Sequence, residues 1–463
     1  MEDQRRICGC KPGHGWYNPG ESVLKKEIPF QRMMKPAFEF HIVLAATALI
    51  TLAGAFSVRY WSPGEKASSF SVYYTAACLV RSNMNPHVYD GVERDVNPQL
   101  VVANPGTTFA QTAIAHGIPR VMLYLYPPTI ADLLVPLTVF SPAVAFVVWD
   151  VLNLVMILAA SVMLTQMLGI RSPGWASLVA VFLICFRPTL SCFHFGQASI
   201  LLLFLLMAGV SLHAHGRNNM AGFMFALAAA IKLTPLIVIV PFIAWRDWKI
   251  LRAIALWSAA ILGALWIVNG SGTLNLFFRL VLPSMSGGNL GAENFGYANR
   301  TLGNIFYIFY EYLPRSDHGT TPIGLVWTVR LVSVLVISYA GWLSQVKKED
   351  KLPDRQRLGM IAIFLLLSCC LAPFSWLYAW VLSAPALVMF GKRISEGRSN
   401  AVELTLFMLF LPSLLTSKFH LGLATPPLGV ALGIIGLYRL RLERHIEGAH
   451  ELANANIPGN APA

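Results

Sequence analysis

Charged residues are scarce in this sequence. Asp, Glu, Lys and Arg together make up 13% of the 463 residues, whereas hydrophobic residues make up 56%. Soluble domains carry about 25% charged residues, so this composition excludes a single large soluble domain. The apolar runs are continuous and reach the roughly 17 to 25 residues that a membrane-crossing helix needs. The sequence therefore predicts an all-α polytopic membrane protein.

Motifs of soluble enzymes are missing as well. The chain has no phosphate-binding glycine-rich loop, no HExxH and no G-x-S-x-G. Seven cysteines are an odd number, and several lie in apolar runs, so no disulfide framework is implied. Cys8 and Cys10 with His14 match no standard zinc spacing and lie in a Gly/Pro-rich segment, so a disordered tail is favoured over a metal site. We expect no metal and no cofactor.

Basic residues are present in excess, and the net charge is +12. They do not form one continuous surface but fall in short clusters between apolar runs, as the positive-inside rule predicts for cytoplasmic loops. Recognition of lipid headgroups or nucleic acid is the less favoured alternative. The clusters are Lys25/Lys26/Arg32/Lys35, Arg246/Lys249/Arg252, Lys347/Lys348/Lys351/Arg355/Arg357, Lys392/Arg393/Arg398 and Arg439/Arg441/Arg444.

The apolar runs and basic clusters predict about 12 transmembrane helices with both termini in the cytoplasm. Residues 1–37 are expected to form a cytoplasmic tail, residues 38–438 the transmembrane domain, and residues 439–463 a second tail. Two long external loops are expected, at residues 59–123 and 270–321. The number of membrane crossings is least constrained between Gly169 and Asn219, where a re-entrant segment could be mistaken for two spans.

Three local expectations follow from this topology. The stretch SFSVYYTAACLV in the first loop is predicted to be an interfacial helix. The run from Tyr126 to about Phe140 is predicted to cross the membrane, with a turn at Ser141-Pro142. Met220 to about Ala244 is predicted to be one further span.

Charged residues inside apolar runs are costly and are therefore candidate functional residues. They are Asp132, Asp150, Arg187 and Lys232. Lys232 lies near the middle of its run, too deep for easy snorkelling. Two interpretations stay open: a structural pair with Asp132 or Asp150, or a cation that binds a lipid phosphate.

A set of short motifs recurs in a defined order. SFSVYYTAA, HVYD, LYPP, FGQASILLL with AAAIKLTP, NRTL and APFSW, spread over roughly residues 60 to 380, resemble glycosyltransferase family 87. The resemblance implies a C-type glycosyltransferase bundle that acts at the outer face of the bacterial inner (plasma) membrane. Its expected donor is a polyprenyl-phosphate-linked hexose, namely mannose. It also implies a lipid or glycan acceptor, no nucleotide-sugar site and no obligatory metal.

The same resemblance assigns roles to residues of this chain. Lys232 and Gln197 are expected to bind the phosphate end of the donor. For Tyr73 and Tyr74, sugar stacking and membrane-interface anchoring both stay open. The full expected substrate-binding set is Tyr73, Tyr74, Tyr126, Gln197, Lys232, Asn299 and Trp376.

One departure from the family pattern bears on catalysis. The family has an Asp directly before the aromatic residue of the FxVYY stretch, where this chain has Ser69. A serine hydroxyl keeps its proton at neutral pH, so it is a poor general base. Asp90 is the favoured replacement, although Asp before Gly91 is also a common turn residue. The other carboxylates available are Glu65, Glu93, Asp95 and Asp132.

Three hypotheses follow. The first is a membrane hexosyltransferase; the second is a catalytically silent relative that binds or moves polyprenyl-phosphate lipids. A secondary transporter is the third and is disfavoured because no inverted repeat is evident. The first hypothesis conflicts with the predicted topology. The predicted number of crossings places Gly196 and Gln197 on the inner side of the membrane, whereas the site must open outward. A re-entrant or short span nearby would resolve it.

Overall fold

The computed structural model describes residues 69–92, 102–284, 299–311, 323–346, 352–373, 375–415 and 422–455. All of them belong to one compact unit, Ile50–Ala463. The described residues are helical and contain no strand, only isolated bridges. This confirms the all-α class. The expected N-terminal tail, the first span at residues 38–58 and the carboxylates Glu65, Glu93 and Asp95 lie outside the described residues.

The α-helices are numbered here in chain order. They are α1 (Ser69–Arg81), α2 (Thr108–Ala115), α3 (Thr129–Leu134), α4 (Pro142–Met167), α5 (Pro173–Cys185), α6 (Arg187–Phe195), α7 (Ser199–Ala214), α8 (Asn218–Ile231), α9 (Ile239–Ala244), α10 (Trp248–Leu276), α11 (Leu302–Glu311), α12 (Ile323–Leu343), α13 (Asp354–Leu371), α14 (Ala384–Ser395), α15 (Ala401–Leu415) and α16 (Thr425–Ala455). Short 3₁₀ helices cover Asn85–Tyr89, Val135–Val139, Thr234–Val238 and Leu377–Ser383. A π-helical turn, Phe277–Val281, and the short helix Leu282–Ser284 extend α10.

Three described helices are long and apolar enough to cross a membrane: Pro142–Met167, Trp248–Ser284 and Gly324–Leu343. A fourth candidate is the pair α5 and α6, which is bent by 49° and is either a broken span or a re-entrant loop. The chain is therefore an integral membrane protein. The core is built around α13, of which 14 of 18 residues are buried.

Helix α1 is enclosed by protein. Eleven of its 13 residues, Phe70 through Val80, are buried, including Tyr73 and Tyr74. The 3₁₀ helix Val135–Val139 runs beside it: the Tyr74 hydroxyl donates to the carbonyl of Phe140 (2.7 Å), and Arg81 donates to that of Thr138 (3.0 Å). The predicted interfacial helix is thus a packed element of the fold, and both tyrosines lie within protein instead of at an exposed face.

The predicted span Met220–Ala244 is not one helix. Lys232 has an extended backbone (φ −154°, ψ 135°) and ends α8, and Pro235 follows in the next helical turn. Pro235 has no backbone N–H to donate to the carbonyl of Ile231, four residues earlier, and its ring would clash with that carbonyl, which explains why α8 ends there.

Both ends of this segment lie side by side. His213 contacts Asn218 at the start of α8 (2.7 Å) and Asp247 just after α9 (3.4 Å). The Phe225 and Phe242 rings pack 5.4 Å apart between those ends and the break. The segment is therefore a helical hairpin with Lys232 at its tip, and the expectation of a single crossing was wrong.

A second break, between α6 and α7, occurs at Gly196. Its backbone is left-handed (φ 62°), and a Cβ there would lie 2.5 Å from the Cβ of Phe70 and 2.8 Å from the Phe146 ring. The Trp149 indole donates to its carbonyl (3.0 Å). Only glycine combines this φ with so close an approach, and the break brings Gln197 against the start of α1.

Candidate functional site

A cavity of about 360 Å³ lies where α1, the hairpin tip and the segment before the 3₁₀ helix Leu377–Ser383 meet. We call it the main cavity. Its wall is mostly apolar, with a few polar and aromatic side chains, as in most small-molecule sites. The lining residues are Ser69, Val72, Met122, Leu123, Leu125, Tyr126, Pro127, Phe195, Lys232, Leu233, Thr234, Phe277, Leu282, Pro373, Trp376 and Tyr378.

Gln197 organises the polar side of this cavity. It is 2% exposed, and its Oε1 accepts hydrogen bonds from the hydroxyls of Tyr73 (2.9 Å) and Tyr126 (3.4 Å). Its Nε2 donates to the Oγ of Ser69. The Tyr73 and Tyr126 rings meet edge to face at 4.9 Å. Gln197 itself does not line the cavity, so it positions Ser69 and Tyr126, which do.

Tyr126 presents a phenol to the cavity from the loop before α3. Burial raises its pKa, and hydrogen bonds with Tyr73, Gln197 and Tyr378 offset part of that rise. The phenol is therefore protonated at neutral pH. It can donate a hydrogen bond to a ligand but cannot act as a base.

Lys232 brings positive charge to the cavity. Its Nζ lies 5.9 Å from the centroid of the Tyr378 ring, a cation–π distance. Within the described part of the chain it forms no ion pair with a carboxylate, so the structural pair with Asp132 or Asp150 is not formed. Its side chain is half-buried at the cavity wall. An ammonium held in an apolar wall without a counter-ion favours an anionic ligand.

Trp376 and Tyr378 form an aromatic wall, with stacked rings 6.2 Å apart and 30° between their planes. Asn299 holds this wall from behind. Its Oδ1 accepts the backbone N–H of Ser375 (2.9 Å), and it forms an isolated bridge with Trp376. Asn299 is 4% exposed and does not line the main cavity, so its contribution is to position this segment.

The other predicted residues lie elsewhere. Tyr74 bonds Phe140 and is absent from the cavity wall. Asp90 caps the 3₁₀ helix Asn85–Tyr89 and lies 3.1 Å from the Nδ1 of His87, in a partly exposed pair outside the cavity. Asp132 accepts a hydrogen bond from Asn269 (2.8 Å). The structure therefore gathers Ser69, Tyr73, Tyr126, Gln197, Lys232 and Trp376 at one place, together with Asn299 behind it, and leaves Tyr74 and Asp90 outside.

Sequence reasoning missed several lining residues. Tyr378 contacts Lys232, Trp376 and Phe195, and Thr234 follows Lys232 at the hairpin tip. Tyr378 lies two residues after Trp376 in the APFSW segment, which was the only available signal. Phe277 and Leu282 come from the helical segment Phe277–Ser284 that extends α10, a segment that was predicted to belong to the external loop 270–321.

Comparison with characterised proteins gives relatives of one kind. The polyprenol-phosphate-mannose-dependent alpha-(1-2)-phosphatidylinositol pentamannoside mannosyltransferase of Mycolicibacterium smegmatis is 27% identical over 267 residues, 57% of this chain and 60% of that protein. The protein of the same description from Mycobacterium tuberculosis is 24% identical over 306 residues, 65% and 64% of the two chains. The matched region thus spans less than two thirds of the length of either relative.

A family model matches over residues 124–373, slightly more than half of the 463 residues. The matched region contains Tyr126, Gln197, Lys232 and Asn299, whereas Ser69 and Trp376 lie outside it. The family that the motifs resemble is confirmed: the chain belongs to glycosyltransferase family 87.

Proposed function

We propose that this protein transfers a hexose, mannose in the first instance, from a polyprenyl-phosphate-linked donor to a lipid or glycan acceptor. One observation carries the proposal: Lys232, without a carboxylate partner among the described residues, stands in the wall of an apolar, aromatic-lined cavity. A lipid-phosphate sugar has the matching chemistry, with an apolar chain, an anionic phosphate and a sugar face that stacks on aromatic rings. The mannosyltransferase activities of the two relatives agree with it.

In this proposal Lys232 binds the donor phosphate, and Trp376 and Tyr378 contact the sugar. The acceptor hydroxyl oxygen bonds to the anomeric carbon as the bond from that carbon to the phosphate oxygen breaks. This single displacement inverts the configuration. The acceptor proton must pass to a base, and Asp90 stays the predicted one although it lies outside the main cavity. The leaving phosphate stays paired with the lysine.

We further propose a C-type bundle of about twelve membrane-embedded helices, the hairpin counted among them without crossing, in the bacterial inner membrane, with both termini cytoplasmic and the cavity open to the outer face. Contacts of the basic clusters with one another support one common end for them. Arg439 bonds the carbonyl of Arg398 (3.3 Å), and both Arg355 and Lys392 pair with Glu396. Lys392 bonds the carbonyl of Leu168, and Arg444 bonds those of Leu343 (3.3 Å) and Gln345 (3.1 Å). Trp376 and Tyr378 of the main cavity precede the N-terminus of α14, whereas Lys392 lies near its C-terminus.

A second candidate function is a silent relative that binds or moves polyprenyl-phosphate lipids. The observation in its favour is Ser69, which lines the cavity where the family has an Asp and whose Oγ is bound by the Gln197 amide. Loss of a positioned base lowers the rate by about 10² to 10⁴.

The test is release of polyprenyl phosphate from polyprenyl-phosphate-mannose by the purified protein in lipid discs, with a lipid extract as acceptor source. Turnover by wild type that is lost in Lys232→Met and kept in Lys392→Met supports the transferase. Loss in Asp90→Asn would identify the base. No turnover by wild type together with turnover by Ser69→Asp would favour the silent relative over the transferase. If neither wild type nor Ser69→Asp shows turnover and neither binds the lipid, both candidates are excluded.

A further inference from the structure

A small chamber lies behind Lys232, separate from the main cavity. Its volume is about 10 Å³, enough for one water-sized group. We call it the Lys232 chamber. Lys232 and Thr234 line both spaces, so the two adjoin at these residues. The chamber is lined by Ser199, Leu202, Lys232, Thr234, Ser368, Cys369, Ala372, Ser375, Ala379 and Leu382.

Ser375 is held rigidly in the wall of this chamber. Its backbone N–H donates to the Oδ1 of Asn299 (2.9 Å), and its carbonyl accepts the backbone N–H of Arg300 (2.9 Å). Both backbone groups are therefore satisfied by the NRTL segment. The side-chain hydroxyl is therefore the polar group of Ser375 that remains to be accounted for.

The Ser375 hydroxyl is 1% exposed and, among the described residues, has no hydrogen-bond partner. Buried hydroxyls are normally paired, so an unpaired one calls for an explanation. Ser368, in the same chamber, shows the usual arrangement: its hydroxyl donates to the carbonyl of Leu365 (2.7 Å). The difference between the two serines points to a missing acceptor beside Ser375.

The charge of the chamber decides what that acceptor is. Lys232 supplies a positive charge, and no carboxylate is among the lining residues. A cation is therefore disfavoured, whereas an anionic oxygen would be attracted by the ammonium and would accept from the hydroxyl. The volume admits one oxygen atom but not a whole phosphate, the remainder of which would stay in the main cavity.

We propose that Ser375 is a second phosphate-binding residue, whose hydroxyl donates to a phosphoryl oxygen of the lipid phosphate held by Lys232. This inference rests on the proposed function, because it describes how the phosphate of the proposed donor is bound. It predicts that recognition of the phosphate depends on the serine as well as on the lysine, while recognition of the lipid chain does not.

The test compares binding of polyprenyl phosphate and of uncharged polyprenol of equal chain length to the full-length protein in lipid discs. Ser375→Ala is expected to weaken polyprenyl phosphate binding about 10- to 100-fold, the usual effect of losing a hydrogen bond to a charged group, and to leave polyprenol binding unchanged. Ser368→Ala is the matched control and is expected to change neither. Ser375→Cys keeps the volume with a weaker donor, so it serves if the alanine variant does not fold.

The outcomes separate the two proposals. If wild type prefers polyprenyl phosphate and Ser375→Ala or Ser375→Cys keeps that preference undiminished, the serine only bonds an ordered water and this inference fails alone. If wild type shows no preference for the phosphate, the proposed donor fails together with it. A loss of binding for both lipids in the serine variants would also overturn the inference, because it would show a general packing defect.

Discussion

At the scale of single residues, Gly196 and Gln197 act as a pair. Gly196 allows the chain to turn against Phe70 and Phe146, and the turn brings the Gln197 amide to Ser69 and Tyr126. Two separate constraints favour glycine at position 196: its left-handed φ and the absence of space for a Cβ. A matched substitution can separate these two costs.

We expect Gly196→Ala to destabilise the fold more than Gly216→Ala. Both glycines have left-handed backbones (φ 62° and 74°), which cost about 1 to 2 kcal/mol for alanine, but a Cβ at Gly216 would meet nothing within 4 Å. The clash with Phe70 at Gly196 adds about 1 to 3 kcal/mol.

Thermal unfolding of both variants in detergent measures this difference. Ligand binding gives a second reading, since a shift of Gly196 moves Gln197 and with it the cavity wall. Equal destabilisation by the two variants would contradict the close packing at Gly196.

Short motifs predicted much of the site at this scale. Tyr126, Gln197 and Lys232 come from three different stretches, yet they surround or support one cavity. Their roles in binding stay predictions. Tyr378 was missed because an aromatic residue in an apolar run looks like any core residue, and Asp90 was selected by chain proximity to Ser69, which did not indicate distance in the fold.

At the scale of helices, the hairpin is held by a close contact between α8 and α10. A Cβ at Gly222 would lie 2.5 Å from the Cβ of Ala253 and 2.7 Å from its carbonyl carbon. Both atoms belong to a helix that cannot move aside without disturbing its own neighbours. Glycine at this point lets the two helices approach, as small residues do in membrane proteins.

We therefore expect Gly222→Ala to destabilise the protein, although alanine is the better helix former. Gly263→Ala in α10 is the control, because a Cβ there meets nothing within 4 Å and should stabilise its helix by up to about 1 kcal/mol. Opposite shifts of the unfolding temperature are the expected result. A stabilising effect at both positions would show that the two helices are not tightly packed.

The same segment shows why helix ends are hard to predict. Met220 to Ala244 is apolar apart from Lys232 and Thr234 and has the length of one span, so composition alone favours a single crossing. The hairpin depends on the break at Lys232 and on contacts of His213 with both ends, which only the folded chain brings together. Pro235 was visible in the sequence, but proline kinks many membrane helices without reversing them.

At the scale of the whole molecule, one buried ion network joins three helices at the end opposite the cavity. Arg393 of α14, 4% exposed, bonds Glu403 of α15 (2.9 Å) and Glu443 of α16 (3.0 Å). Glu403 is 0% exposed. Removing the guanidinium would leave a buried carboxylate unpaired.

We expect Arg393→Ala to cost about 3 to 5 kcal/mol of stability, the range for breaking a buried pair from one side. Arg398→Ala removes a 39% exposed arginine that lies 3.8 Å from Glu443 and should cost at most about 1 kcal/mol. Unfolding in detergent at constant pH compares the two. Partial recovery in the double variant with Glu403→Gln would identify the unpaired carboxylate as the cause.

The arrangement of the whole chain also bears on the conflict in the predicted topology. Ser69 contacts Gln197, and the 3₁₀ helix Val135–Val139 lies along α1 through Thr138 and Phe140. The segment from Tyr126 to Phe140 therefore accompanies the loop helix α1 and need not cross the membrane. If it does not cross, the turn at Ser141 lies on the outer side, and Gln197 reaches the outer side as well.

This arrangement predicts that the two ends of α4 are accessible from opposite sides of the membrane. In a background without Cys8, Cys10 and Cys185, we expect Ser141→Cys to react with a membrane-impermeant maleimide in intact cells and Arg171→Cys to react only after permeabilisation. Both positions are exposed turn residues at opposite ends of α4, so each is the control for the other. The reverse pattern would restore the crossing from Tyr126 to Phe140, and the contact between Ser69 and Gln197 would then have to form on the inner side.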